Sequence, residues 1–121
     1  MTWIGKWRNQ YGSILEITDE SNHRIVGKFR TALPDSGFYG QEIDIVGVHY
    51  GDCVGLTAGG LGTSGDMVVT YTGLLRDGKL ETLWYVVADA VTSVDAGSPA
   101  QVKKLNWWRS ITTNADTFQR V

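Results

Sequence analysis

Cysteine is almost missing from this chain. Cys53 is the only one in 121 residues, so no disulfide can form within the chain and stability has to come from strand pairing, burial and subunit contacts. Only two prolines stand against fifteen glycines, a balance that suits many tight turns between strands. An excess of positive charge is lacking too. The net charge of -2, the pI near 5.6 and the absence of a clustered Lys/Arg face exclude a nucleic-acid partner, because phosphate binding needs concentrated positive charge. No run approaches the ~20 apolar residues of a membrane helix, and no positively charged, apolar leader precedes Trp3, so a soluble chain is expected. The length suits one domain, residues 1–121.

Catalytic chemistry is equally thin. His23 lies in a polar turn and His49 at a strand end, neither with a second His, Cys or carboxylate at ligand spacing, so no metal is expected. Cys53 with two distant histidines makes no nucleophile and base pair. The glycine-rich stretch 59–65 has no lysine of a phosphate loop and is expected to be a flexible hairpin loop.

What the chain does contain is a series of short runs rich in Val, Ile, Thr, Tyr, Phe and Trp, separated by turn residues. They predict strands over Ile4–Gln10, Ser13–Thr18, Arg24–Leu33, Glu42–Tyr50, Cys53–Ala58, Met67–Leu75, Leu80–Asp89 and Trp108–Val121, the last bulged near Asn114. Asp77-Gly78 supplies the positive φ angles of a hairpin turn. One helical turn is expected at Pro99–Leu105, with Ser98 as its cap. Eight strands with short connections protect their edges best by closing, so the expected fold is all-β, an eight-stranded antiparallel up-and-down barrel. Its interior has room for side chains and one small ligand. Trp7, Asn9, Tyr11 and Ser13 share one face of the opening segment. Polar groups on an inward face are costly unless their hydrogen bonds are met.

Five segments in order, G-K-W-R-N-Q-Y-G-S, G-K-F-R-T-A-L, V-V-T-Y-T-G, T-L-W-Y-V and W-R-S-I-T-T-N-A-D-T-F, resemble strands of the avidin and streptavidin family. Residues 35–66 align poorly with it. The resemblance implies a non-enzymatic, biotin-binding barrel without a cofactor. It places Asn9 and Ser13 as donors to the carbonyl oxygen of biotin's ureido ring, with Phe29 where the family has a third donor, a tyrosine. Asp116 and Thr31 match acceptors of the ureido N–H groups. Trp84 and Tyr71 match aromatic walls, with Val86 as apolar neighbour, and Tyr11 joins the set through the face it shares with Asn9 and Ser13. Val69 stands where the family has a threonine that reaches the sulfur. A further wall tryptophan falls on Leu56, and tail contacts fall on Asp35 and Ser36, where Asp35 is a poor neighbour for a carboxylate. Trp108, eight positions before Asp116, matches a tryptophan that caps a neighbouring subunit's pocket, which implies a homo-oligomer, with a tetramer favoured over a dimer.

Each lost hydrogen bond is worth roughly 0.5–1.5 kcal/mol and a lost large wall side chain ~2–3 kcal/mol. At ~1.4 kcal/mol per tenfold, these departures weaken biotin binding by several powers of ten from the family's best. Two other readings stay open on the sequence: a lipocalin-like carrier of an apolar ligand, and an avidin-like barrel that has lost its ligand.

Overall fold

Alternation of inward apolar and outward polar side chains organises the whole chain. The computed structural model describes residues 2–34, 38–61, 65–93, 101–104 and 111–121. The strands are β1 (Gly5–Asn9), β2 (Ile14–Asp19), β3 (Arg24–Arg30), β4 (Ile43–Tyr50), β5 (Cys53–Leu61), β6 (Asp66–Arg76), β7 (Lys79–Ala88), β8 (Ala90–Ser93), β9 (Gln101–Lys104) and β10 (Ile111–Arg120). Eight of them close in the order β1-β10-β7-β6-β5-β4-β3-β2, every pair antiparallel. Closure removes both edges of the sheet, which otherwise present unpaired backbone groups. The expected barrel is therefore present, and β8 pairs with β9 as a separate two-stranded ribbon between β7 and β10.

Burial follows the period of two. On β3 the pattern leaves Ile25, Gly27 and Phe29 inside and Lys28 and Arg30 outside, as the sequence predicts. Trp3, Trp7, Ile17, Ile25, Val54, Leu75, Leu80 and Phe118 belong to one buried cluster. Trp7 packs 6.1 Å from Trp3, centroid to centroid, and its indole N–H donates to the Trp3 carbonyl at 3.0 Å. Arg120 covers its ring at 4.4 Å, a geometry that adds cation–π attraction to the burial. Trp7 is core at the closed end of the barrel, as its position predicts.

Several boundaries differ from the sequence reading. Strand β3 stops at Arg30 rather than Leu33 because its next donors go to side chains: the Ala32 N–H donates to Ser13 Oγ at 2.8 Å and the Leu33 N–H to Thr31 Oγ1 at 3.2 Å. Strand β5 runs on to Leu61, pairing Gly59, Gly60 and Leu61 with Val68, Met67 and Asp66, so three of the seven residues of the expected glycine loop are ladder. Strand β10 pairs with β7 without a break from Ile111 to Gln119. There is no bulge at Asn114, and the irregularity lies on β2 between Ile17 and Asp19. The helical turn at Pro99–Leu105 is replaced over Gln101–Lys104 by strand β9; ladder bonds to β8 satisfy this backbone. Pro99 and Leu105 themselves lie outside the described residues. The Asp77-Gly78 hairpin forms as predicted, with φ of 52° and 76°.

At the bulge a β-carbon on Gly27 would come within 2.1 Å of the Glu16 carbonyl oxygen. Backbone cannot retreat as a flexible side chain does, so Gly27→Ala is expected to destabilise the barrel by about 3 kcal/mol. Chemical denaturation checks this, and an unchanged midpoint would contradict it.

The first residues are fastened by Glu20. Its carboxylate accepts from the Trp3 and Ile4 N–H groups at 3.1 and 3.4 Å and from the Thr2 hydroxyl. The Thr2 hydroxyl first, then the Trp3 N–H, hold its pKa below the usual 4.5. A depressed carboxylate contributes stability that is present above the unfolded value and lost as pH falls through the folded value. Acidification below the ordinary glutamate range is therefore expected to release Trp3 and Ile4 while the barrel persists. An NMR titration should show their amide resonances moving with a midpoint under 4.5, and the transition should vanish in Glu20→Gln.

Candidate functional site

The polar residues singled out in the sequence gather toward the end of the barrel opposite Trp7. The β1–β2 turn lies there, built around Asn9, whose Oδ1 accepts the N–H groups of Tyr11 and Ser13 at 3.1 and 2.9 Å. Gly12 adopts φ of 90° in this turn, a conformation that glycine enters without steric cost. Ser13 Oγ then accepts from Ala32, tying the turn to the residues after β3. The hydroxyl protons of Ser13 and Thr31 are left to donate, since their oxygens already accept backbone N–H groups.

Across from the turn, Asp116 is 6% exposed and bonded on both oxygens. Asn9 Nδ2 donates to Oδ2 at 3.1 Å and Gln10 Nε2 to Oδ1 at 3.2 Å. The Thr82 hydroxyl donates to the Asp116 backbone carbonyl at 2.8 Å. Each carboxylate oxygen keeps a further lone pair. Asn9, Ser13, Thr31 and Asp116 are thus buried polar side chains ordered by the chain itself.

These groups face a cavity of about 320 Å3, within the usual range for a small-molecule site. Strand β6 contributes Val69 and Tyr71, strand β7 contributes Trp84 and Val86, and Phe29 and Tyr11 complete the part foreseen in the sequence. Val69 faces Val86, and Tyr71 faces Trp84, across the β6–β7 ladder. The Tyr71 ring lies 6.0 Å from Phe29 and 5.9 Å edge-on from Phe118. Burial, and secondarily the charge of Asp116, push the Tyr71 phenol far above its usual pKa, so it stays protonated as a donor. The Trp84 indole N–H is buried without a hydrogen-bond partner among the described residues.

Ten of the thirteen candidate residues therefore surround one space. Leu56 does not: it faces inward in the row of Tyr71 but is packed into the core at 1% exposure and reaches no part of the cavity. Asp35 and Trp108, with Ser36 and Trp107, lie outside the described residues. Four lining residues were missed: Leu33, Phe38, Met67 and Thr112. The period of two from Thr31, Val69 and Asp116 carries a signal for three of them. Phe38 carries none, because the connection before β4 brings it in; its ring stands near Gly60, where a β-carbon would meet Cε1 at 3.6 Å. Phe38 supplies an aromatic wall beside β5, where Leu56 does not.

Fold and site together define an up-and-down barrel with a small-ligand cavity at one end. By fold it is an avidin-like barrel. A bradavidin2–biotin complex matches over 100% of this chain and 99% of that one, with 16% identity and a TM-score of 0.71. A rhizavidin–biotin complex matches over 99% and 92%, with 19% identity and a TM-score of 0.73. Apo shwanavidin matches over 100% and 97%, with 17% identity and a TM-score of 0.76. No family model matches the sequence, and no curated protein matches it. Among the described residues no group of three or more His, Cys, Asp or Glu is placed to hold a metal, and no helix is long and apolar enough to cross a membrane.

Proposed function

We propose that this protein binds biotin, without catalysing a reaction, with the ureido ring at the inner end of the cavity. The observation that carries the reading is the buried set of Asn9, Ser13, Thr31 and Asp116 in an otherwise apolar space. Hydroxyl and amide donors beside a carboxylate acceptor complement a carbonyl flanked by N–H groups. A purely apolar ligand, as in a lipocalin-like carrier, would leave those donors unpaired at a cost of about 1–3 kcal/mol each. The solved biotin complexes of the same fold support the choice of ligand.

Affinity is expected below that of the strongest avidins, because Phe29 brings no hydroxyl and Val69 no polar contact for the sulfur. The homo-oligomer, a tetramer in preference to a dimer, rests on the spacing of Trp108 from Asp116. Native mass spectrometry with and without excess biotin tests both points. One biotin per subunit supports the reading; an oligomer that takes up none sinks it. That second outcome fits a barrel that has lost its ligand, a reading favoured by one observation: Asn9, Ser13 and Asp116 are already bonded within the protein. Uptake of a fatty acid in place of biotin would point to the lipocalin-like reading.

A further inference from the structure

The buried polar set that lines the cavity finds its partners within the protein. Asn9 donates to Asp116, Ser13 Oγ and Thr31 Oγ1 each accept a backbone N–H, and Asp116 accepts on both oxygens. Tyr71 is the exception. It is only 5% exposed and lines the same cavity, yet its hydroxyl has no hydrogen-bond partner among the described residues. Nor is that hydroxyl walled in, as the Trp84 indole N–H is, so the little exposure Tyr71 keeps lies on the cavity side.

The ring is held in place from two sides, tilted against Phe29 at 6.0 Å and edge-on to Phe118 at 5.9 Å. Burial first, then the charge of Asp116, keep the phenol protonated, and the influence of that charge puts the hydroxyl at the polar end of the cavity. A phenylalanine would fill the same wall with no polar atom to satisfy. Buried polar groups without a partner are rare and each calls for a cause. In the empty cavity a water can meet the hydroxyl. A ligand that displaces this water has to replace its hydrogen bond or lose affinity.

We propose that Tyr71 is a specificity-determining residue of the biotin site, its hydroxyl donating to the ureido carbonyl oxygen. Asp116 has lone pairs for a ureido N–H, and the carbonyl oxygen is the acceptor next to that N–H, on the side of a donor that stands beside Asp116. The Ser13 hydroxyl, whose oxygen already accepts from Ala32, has its proton for the same oxygen, and a carbonyl has two lone pairs to receive both. The hydroxyl absent from Phe29 is thereby offset in part by its ring neighbour, while Val69 still brings no polar contact. Because sulfur is a weak acceptor, the site takes cyclic ureas in preference to cyclic thioureas. This inference rests on the biotin reading.

Titration calorimetry compares the natural chain with Tyr71→Phe against biotin and 2-thiobiotin, the analogue with C=S in place of C=O. The variant is expected to bind biotin roughly 3- to 10-fold more weakly, the worth of one neutral hydrogen bond, and thiobiotin within a factor of about two of the natural chain. Its thermal midpoint without ligand is expected to be no lower, because the hydroxyl it loses has no partner in the protein. Equal biotin affinity in the two proteins would overturn the proposal and leave the biotin reading standing. An equal loss for both ligands, with a lowered midpoint, would also overturn it, by making the hydroxyl a structural part of the wall. A natural chain that takes up neither ligand would instead overturn the biotin reading itself, and this inference with it.

Discussion

Replacing Asp116 by alanine is expected to weaken biotin binding roughly 10- to 150-fold and to lower stability at the same time. The carboxylate accepts from Asn9 and Gln10 and has lone pairs to spare for a ligand N–H. A hydrogen bond to a charged group is worth about 1.5–3 kcal/mol, which at ~1.4 kcal/mol per tenfold gives that range. The stability loss has a separate origin: without the acceptor, Asn9 Nδ2 is left buried and unpaired, at a cost of about 1–3 kcal/mol. Titration calorimetry and thermal unfolding on one variant separate the two effects. Lost stability with no heat from biotin in either protein would mark Asp116 as purely structural. Asp116→Asn removes the charge while keeping one acceptor, so it should recover most of the stability and little of the affinity.

Phe38→Ala is expected to have the other large effect, and it tests a residue that no strand pattern points to. Phe38 is 4% exposed, lines the cavity and stands beside Gly60, where a β-carbon would meet its Cε1 at 3.6 Å. Truncating a buried phenylalanine costs about 3–5 kcal/mol, divided here between the folded barrel and the bound ligand. The share that falls on the ligand depends on how much of the ring faces the cavity rather than the core. A drop in affinity of one to two powers of ten, near 2 kcal/mol, with a comparable loss of stability, is the expected result. Equal biotin affinity in the two proteins would show that the ring belongs to the core alone.

Much of the barrel was legible because its strands alternate. A period of two needs no knowledge of partners, so Ile25, Gly27 and Phe29 are inward by local geometry alone. The Asp-Gly hairpin is equally local, since only a few residue types accept both positive φ angles. Ends of strands were less legible. Whether β3 continues past Arg30 depends on where the N–H groups of Ala32 and Leu33 find acceptors, and one of these, Ser13 Oγ, lies nineteen positions away in the chain. The strand over Gln101–Lys104 is hidden for the same reason: a proline-led start favours a helical turn, yet pairing with β8 outweighs weak local propensity.

The sequence by itself determined the fold class and the inner polar set, because alternating burial and the order of the avidin-like segments are properties of the chain read residue by residue. Only the tertiary structure decided which wall each residue forms. Leu56 and Tyr71 face inward in the same row, yet closure of the barrel buries Leu56 in the core and leaves Tyr71 on the cavity. Phe38 reaches that cavity from a connection with no periodicity of its own. The pairing of Tyr71 with Phe29 has the same origin. The two are far apart in sequence and become ring neighbours at 6.0 Å only when the barrel closes, since contact across its interior is set by strand order and not by distance along the chain.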